Sequence, residues 1–174
     1  MSIRIVPAAR EHARAIAEVH VASSRAAYAG IVAQQTIDKL SVEARTESWI
    51  DHLSGPAPGT CCFLAVDDSG TTVGFADGGP TRSDLLPTDG ELYAIYLYQE
   101  SQRQGIGTAL LLRVAEELES TGFRSMGLWV LEANPARQFY ESLGGRMAAE
   151  KEVERDGLRM KELGYAWPLP MPRL

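Results

Sequence analysis

Lysine is nearly missing from this chain. Only Lys39, Lys151 and Lys161 stand among 17 basic residues, and 23 acidic residues leave a formal net charge of −6. A chain with that balance is not built to grip nucleic acid or an acidic membrane surface, so neither is expected as a partner. Cysteine is as scarce. The two present, Cys61 and Cys62, are adjacent, and neighbours in a strand point to opposite faces, so they read as unbridged, buried thiols of a reducing compartment. No apolar run approaches the roughly 20 residues that span a bilayer. The first residues alternate charged and apolar types without a signal-peptide core, which makes a cytoplasmic location the expectation. His12, His20 and His52 lack metal-ligand spacing, so no metal is expected, and there is no Gly-x-Ser-x-Gly nucleophile motif.

What is present suits one soluble α/β domain. With 174 residues, 45% hydrophobic and 23% charged, residues 1–167 can build a single core, and the Pro-rich segment 168–174 reads as a mobile tail. Ser2 to Val6 alternates as a short strand that Pro7 stops. A helix is predicted from Ala8 to Ser24, with Ala13, Ile16, Ala17, His20 and Val21 on one face. A second helical pattern passes Ile37 and Leu40, and Ser41 can cap a helix from Val42 to Leu53 with Trp49 facing in. Residues 61–66 and 71–79 read as a hairpin around Asp67-Asp-Ser-Gly70. Phe123 to Leu131 is a further buried strand. Asn134 before Pro135 can cap a short helix to Leu143, and strands over 146–154 and 158–165 flank the turn Asp156-Gly157.

The chain is organised around Glu91 to Leu112. Residues 91–98 are rich in aromatic and branched types and read as a strand buried on both faces. A polar turn follows, then Gly105-Ile106-Gly107-Thr108, and from Ile106 the apolar residues Leu110, Val114 and Leu118 recur at helical spacing. A helix that opens on glycines offers bare backbone N–H groups and the positive end of its dipole, a combination suited to phosphate. No Lys-Ser/Thr follows the glycines, and Leu110 stands where the dinucleotide fingerprint needs a small residue, so neither standard nucleotide loop fits.

What fits is Gln102-x-x-Gly105-x-Gly107 directly after an apolar strand. It resembles the pyrophosphate-binding motif of the GNAT superfamily of N-acetyltransferases, which use acetyl-CoA. Asn134-Pro-Ala-Arg-Gln-Phe-Tyr-Glu-Ser-Leu-Gly-Gly145 resembles that family's Asn…Phe-Tyr-Glu-x-Leu-Gly segment. The resemblance covers residues 60 to 165 well and the first 55 only by helix pattern. It implies a mixed, mostly antiparallel central sheet flanked by helices, with splayed central strands forming the CoA site. It further implies that backbone N–H groups at Ile95, Tyr96 and Leu97, freed by a bulge in the fourth strand, hold the pantetheine arm. The backbones of Arg103, Gln104, Gly105, Ile106, Gly107 and Thr108, with Gln102 and the Arg103 side chain, would hold the pyrophosphate, and Asn134 would contact the CoA arm.

Acetyl transfer from a thioester to an amine needs a neutral amine, a polarised carbonyl and a proton for the departing thiolate. The resemblance assigns Tyr140 as general acid and Glu91 as base. Asn134 precedes Tyr140 by six residues, where many members have seven. Trp129 stands where some protein-acetylating members carry glutamate, so a small-molecule primary amine is the expected acceptor, attacking directly in a ternary complex. Tyr28, Trp49, Asp77 and Glu91 are candidates to line its pocket. A noncatalytic acyl-CoA sensor is the alternative, which would not need Glu91 and Tyr140. The resemblance leaves room for a homodimer.

Overall fold

The computed structural model describes residues 2–171. In chain order the elements are β1 (Arg4–Pro7), α1 (Ala13–Tyr28), α2 (Gln34–Asp38), α3 (Val42–Ser54), β2 (Cys61–Val66), β3 (Thr72–Pro80), β4 (Gly90–Leu97), α4 (Ile106–Ser120), β5 (Ser125–Leu131), α5 (Arg137–Ser142), β6 (Arg146–Arg155) and β7 (Leu158–Pro168). The strands form one sheet in the order β1-β2-β3-β4-β5-β7-β6. All neighbours are antiparallel except β4 and β5. Among the described residues no helix is long and apolar enough to cross a membrane.

Each face of the sheet has its own core. On one face α1 and α3 bring Ile16, Val19 and Trp49 onto Leu64, Val66 and Phe75. On the other, α4 and the end of α5 bring Leu110, Val114, Leu118 and Leu143 onto Phe63, Ala65, Val73 and Met126. That two-sided cover explains the uninterrupted apolar run of β2, whose alternate side chains enter opposite cores. Each fully buried leucine or isoleucine contributes about 1.5–3 kcal/mol.

Several boundaries differ from expectation. Pro7 is the last residue of β1 rather than a stop before it, and it is tolerated because β1 is an edge strand. The first helix begins at Ala13, after a short 3₁₀ turn in which His12 Nδ1 accepts from the Ala9 N–H at 2.9 Å. Ser41 caps α3 as expected, its hydroxyl accepting from the Ala44 N–H at 3.3 Å. β7 runs through Pro168, and the Leu169 N–H donates to the Arg124 carbonyl at 2.8 Å. Leu169 and Met171 pack against the core. The expected tail therefore starts as ordered structure, while residues 172–174 lie outside the described residues.

The feature that creates the site is the parting of β4 from β5. They pair only at Gly90 with Met126 and at Glu91 with Gly127. Beyond that point β4 stays with β3, and β5 is held by β7 along its whole length. The register of β4 on β3 slips where Tyr93 is inserted opposite the Asp77–Gly78 step. An extra residue of this kind bends and twists its strand, here turning β4 away from β5.

Candidate active site

A cleft of ≈ 1710 Å³ occupies the opened fork. Single small-molecule sites usually run to about 300–1,000 Å³, so two reactants can be accommodated. The bulge lies at Tyr93, ahead of the Ile95–Leu97 stretch expected to carry it. The Tyr98 N–H donates to the Val73 carbonyl at 3.0 Å. Strand alternation then turns the Tyr96 N–H toward β3 as well, and those of Ile95 and Leu97 toward the fork. Ile95 and Leu97 thus offer donors to an extended amide-bearing chain, whereas Tyr96 contributes its side chain on the α1 face. The Leu97 carbonyl is already taken by the Ser23 hydroxyl, at 2.7 Å.

At the mouth of the fork, Arg103 (φ 61°) and Gly105 (φ 80°) adopt the left-handed conformation just before α4. Such alternation curls successive N–H groups into an anion-binding concavity. Among the described residues, the backbone N–H groups from Arg103 to Thr108 make no hydrogen bond. The Ala109 N–H is the first to bond, to the Gly105 carbonyl at 3.0 Å. Gln102, Arg103, Gly105, Gly107 and Thr108 line the cleft. Gln104 turns its side chain back to the Glu100 carbonyl, and Ile106 buries its own in the core, so these two can contribute backbone only. A Cβ on Gly107 would lie 3.3 Å from Leu97 and 3.4 Å from Phe139. A loop of unbonded N–H groups at a helix start has the chemistry to hold a phosphate group.

Asn134 is buried, and its side-chain oxygen accepts from the Ala136 N–H at 2.9 Å. The cap therefore forms, although the helix proper begins at Arg137. Its amide nitrogen has no hydrogen-bond partner among the described residues, and Asn134 lines the cleft, so capping and a ligand contact are compatible. Tyr140 is also buried. Its ring packs on Phe139 and edge-on to Trp167, while its hydroxyl has no partner among the described residues. Burial, with a smaller effect from Tyr96, pushes the phenol well above its ordinary range. It stays a proton donor throughout the neutral range.

Glu91, the second residue of β4, lies inside the fold. It is 3% exposed. The Arg82 N–H donates to one carboxylate oxygen at 2.8 Å and the Arg82 guanidinium to the other at 2.7 Å. Arg82 also lies over the Tyr93 ring, 3.9 Å from its centroid. The loop carrying Arg82 is pinned by Leu86, which sits on Gly127 and Gly164 where any Cβ would come within 2.7 and 2.9 Å of it. Asp89 ties the other end of the loop, accepting from the N–H groups of Arg124 and Ser125.

On the α1 side of the fork, Tyr28 and Tyr96 share a hydrogen bond at 3.1 Å, and Tyr96 stacks on His20. Burial, then the nearby Arg45, lowers His20 to about 4. It is neutral, and Trp49 donates to its Nδ1. Of the expected pocket residues Tyr28 and Glu91 line the cleft. Trp49 belongs to the core, and Asp77 is bound to His52 at 2.9 Å. Sequence reasoning did not single out Arg82, Lys151, Arg155 or Glu162, all of which line the cleft.

The description of the acetyltransferase (GNAT) family matches residues 10–145. An uncharacterised N-acetyltransferase, YuaI of Bacillus subtilis, is 42% identical over 159 residues, covering 91% of this chain and 88% of that protein. The PaiA N-acetyltransferase of Thermoplasma acidophilum, solved with coenzyme A, superposes with a TM-score of 0.66 at 24% identity, covering 94% of this chain and 98% of that one. A phosphinothricin acetyltransferase of Sinorhizobium meliloti, solved with acetyl-CoA, gives 0.73 at 22% identity, covering 97% and 89%. At these identities the two structures speak to the fold.

Proposed function

The chain belongs to the acetyltransferase (GNAT) family and is an acetyl-CoA-dependent N-acetyltransferase, and on that premise we propose that it acetylates the primary amine of a small molecule by direct attack with both substrates bound. The observation that carries this reading is the unpartnered Tyr140 hydroxyl, buried in the cleft that also holds the unbonded amides of the glycine loop. Acetyl-CoA supplies the acyl group as a thioester. The loop amides from Arg103 to Thr108 bind its pyrophosphate, Ile95, Leu97 and Asn134 hold its arm, and Tyr140 places a proton where a thiolate departs.

Glu91 accepts the proton of the incoming ammonium. It can do so once Arg82 yields one oxygen, and the Arg82 side chain, 59% exposed, can move without unpacking the core. A covalent acyl-enzyme is disfavoured by the thiols. Burial pushes Cys61 up to about 12 and Cys62 higher still, and neither lines the cleft. Initial velocities across a matrix of acetyl-CoA and amine concentrations test the order of events. Intersecting reciprocal plots are expected, and parallel ones would overturn direct transfer.

A further inference from the structure

Away from the glycine loop the cleft carries an excess of positive charge. Its lining there has four cations, Arg45, Arg82, Lys151 and Arg155, against two carboxylates, Glu91 and Glu162, in a chain whose net charge is −6. Arg82 and Glu91 cancel one another. Glu162, with a side chain only 9% exposed, serves two partners, accepting from Arg155 at 2.7 Å and lying 3.3 Å from Lys151. Lys151 also sits 4.0 Å over the Trp129 ring, which covers it. Arg155 spends one nitrogen on Glu162 and keeps its remaining guanidinium donors, on a side chain 42% exposed. The hairpin tip that bears it is fastened to α2, where Asp156 bonds Thr36 and, at 2.8 Å, Lys39. Arg155 is therefore a positioned, undersatisfied fork on the wall of the cleft.

Resting on the amine-transferase reading above, we infer that the acceptor carries an acid group besides its amine and that Arg155 receives that acid. A polycation would be repelled by this wall, and a simple monoamine would leave its charge uncompensated. A carboxylate or phosphonate matches the guanidinium fork with paired hydrogen bonds. Arg45, whose side chain has no ion pair or hydrogen bond among the described residues, adds to the same field from α3.

The test compares matched probes under saturating acetyl-CoA, following thiol release: the twenty amino acids, their decarboxylated amines, and spermidine. The best acid-bearing amine is expected to exceed its decarboxylated counterpart in kcat/KM by about 10- to 100-fold, the usual range for a hydrogen bond to a charged group. In Arg155→Gln that preference should collapse through KM, with kcat nearly unchanged and the melting shift produced by CoA intact. A merely structural role would instead lower the melting temperature and slow both members of each pair alike. Preference for spermidine or for the decarboxylated amines, or an equal effect of Arg155→Gln on both members, overturns the inference while leaving the transferase reading standing. No thiol release with any amine, although CoA raises the melting temperature, overturns both.

Discussion

Arg82 holds Glu91 at both carboxylate oxygens, through its guanidinium at 2.7 Å and its own backbone N–H at 2.8 Å. A carboxylate so engaged either anchors the loop or waits to exchange that partner for a substrate ammonium. The variants Glu91→Gln and Arg82→Met separate these roles. If Glu91 is the base, Glu91→Gln should lower kcat/KM by roughly 10²–10⁴-fold and alter the acidic limb of the pH profile, while Arg82→Met keeps turnover. Equal losses in both variants, with an unchanged profile, would return Glu91 to an anchoring role.

Tyr140→Phe should leave stability and CoA affinity nearly unchanged, because the ring keeps its contacts with Phe139 and Trp167 and the hydroxyl has no partner among the described residues. Turnover should fall by roughly 10²–10⁴-fold where chemistry limits the rate. A wild-type kcat in that regime removes Tyr140 from the proton path.

Acetyl-CoA at about 100 times its Kd should stabilise the fold by about 2.7 kcal/mol. Thermal melts and titration calorimetry measure this directly. In Gly107→Glu the new side chain, closed off by Leu97 and Phe139, brings a negative charge to the loop and should abolish the shift. Normal CoA binding by a folded Gly107→Glu protein means that the loop does not hold the pyrophosphate.

The His52–Asp77 pair gives stability a pH dependence of definite sign. The hydrogen bond to Asp77 raises His52 above its usual value against the opposing effect of burial. Burial likewise raises Asp77, although His52 opposes it. In both cases the folded form holds its proton more tightly than the unfolded chain, so stability falls as pH rises. The His52 contribution is fully present below pH about 6.5 and is lost as the pH climbs through its higher folded value. Melting temperatures from pH 6 to 9 should decline more steeply in the parent than in His52→Gln. Identical slopes would show that the pair carries no such linkage.

Gly145→Ala tests the packing that seats Tyr140. A Cβ there would lie 2.5 Å from the Trp167 ring and 2.8 Å from the Tyr140 carbonyl. Overpacking of this kind costs about 1–3 kcal/mol, and chemical denaturation should show it. A midpoint equal to that of the parent would mean that α5 shifts freely.

Local chemistry made much of this protein legible. Two-residue alternation and apolar runs placed β2 and β5, and the four-residue apolar spacing started α4 at Ile106, where it begins. The Asp156-Gly157 turn, with φ of 49° and 79°, and the Gly105 entry to α4 follow from what those residues tolerate in their own backbone. The family resemblance named the glycine loop and Tyr140, and both line the cleft. Only the tertiary structure decided how far β4 stays with β5, because that depends on one inserted residue, Tyr93, and on β7 claiming the whole of β5. It also decided that Glu91 is paired, that Asp77 belongs to His52, and that Lys151 and Arg155 converge on Glu162. Periodicity records which face of a segment is buried. It carries no record of which charge on another segment comes to face it, and the charge pattern of the cleft is made of those encounters.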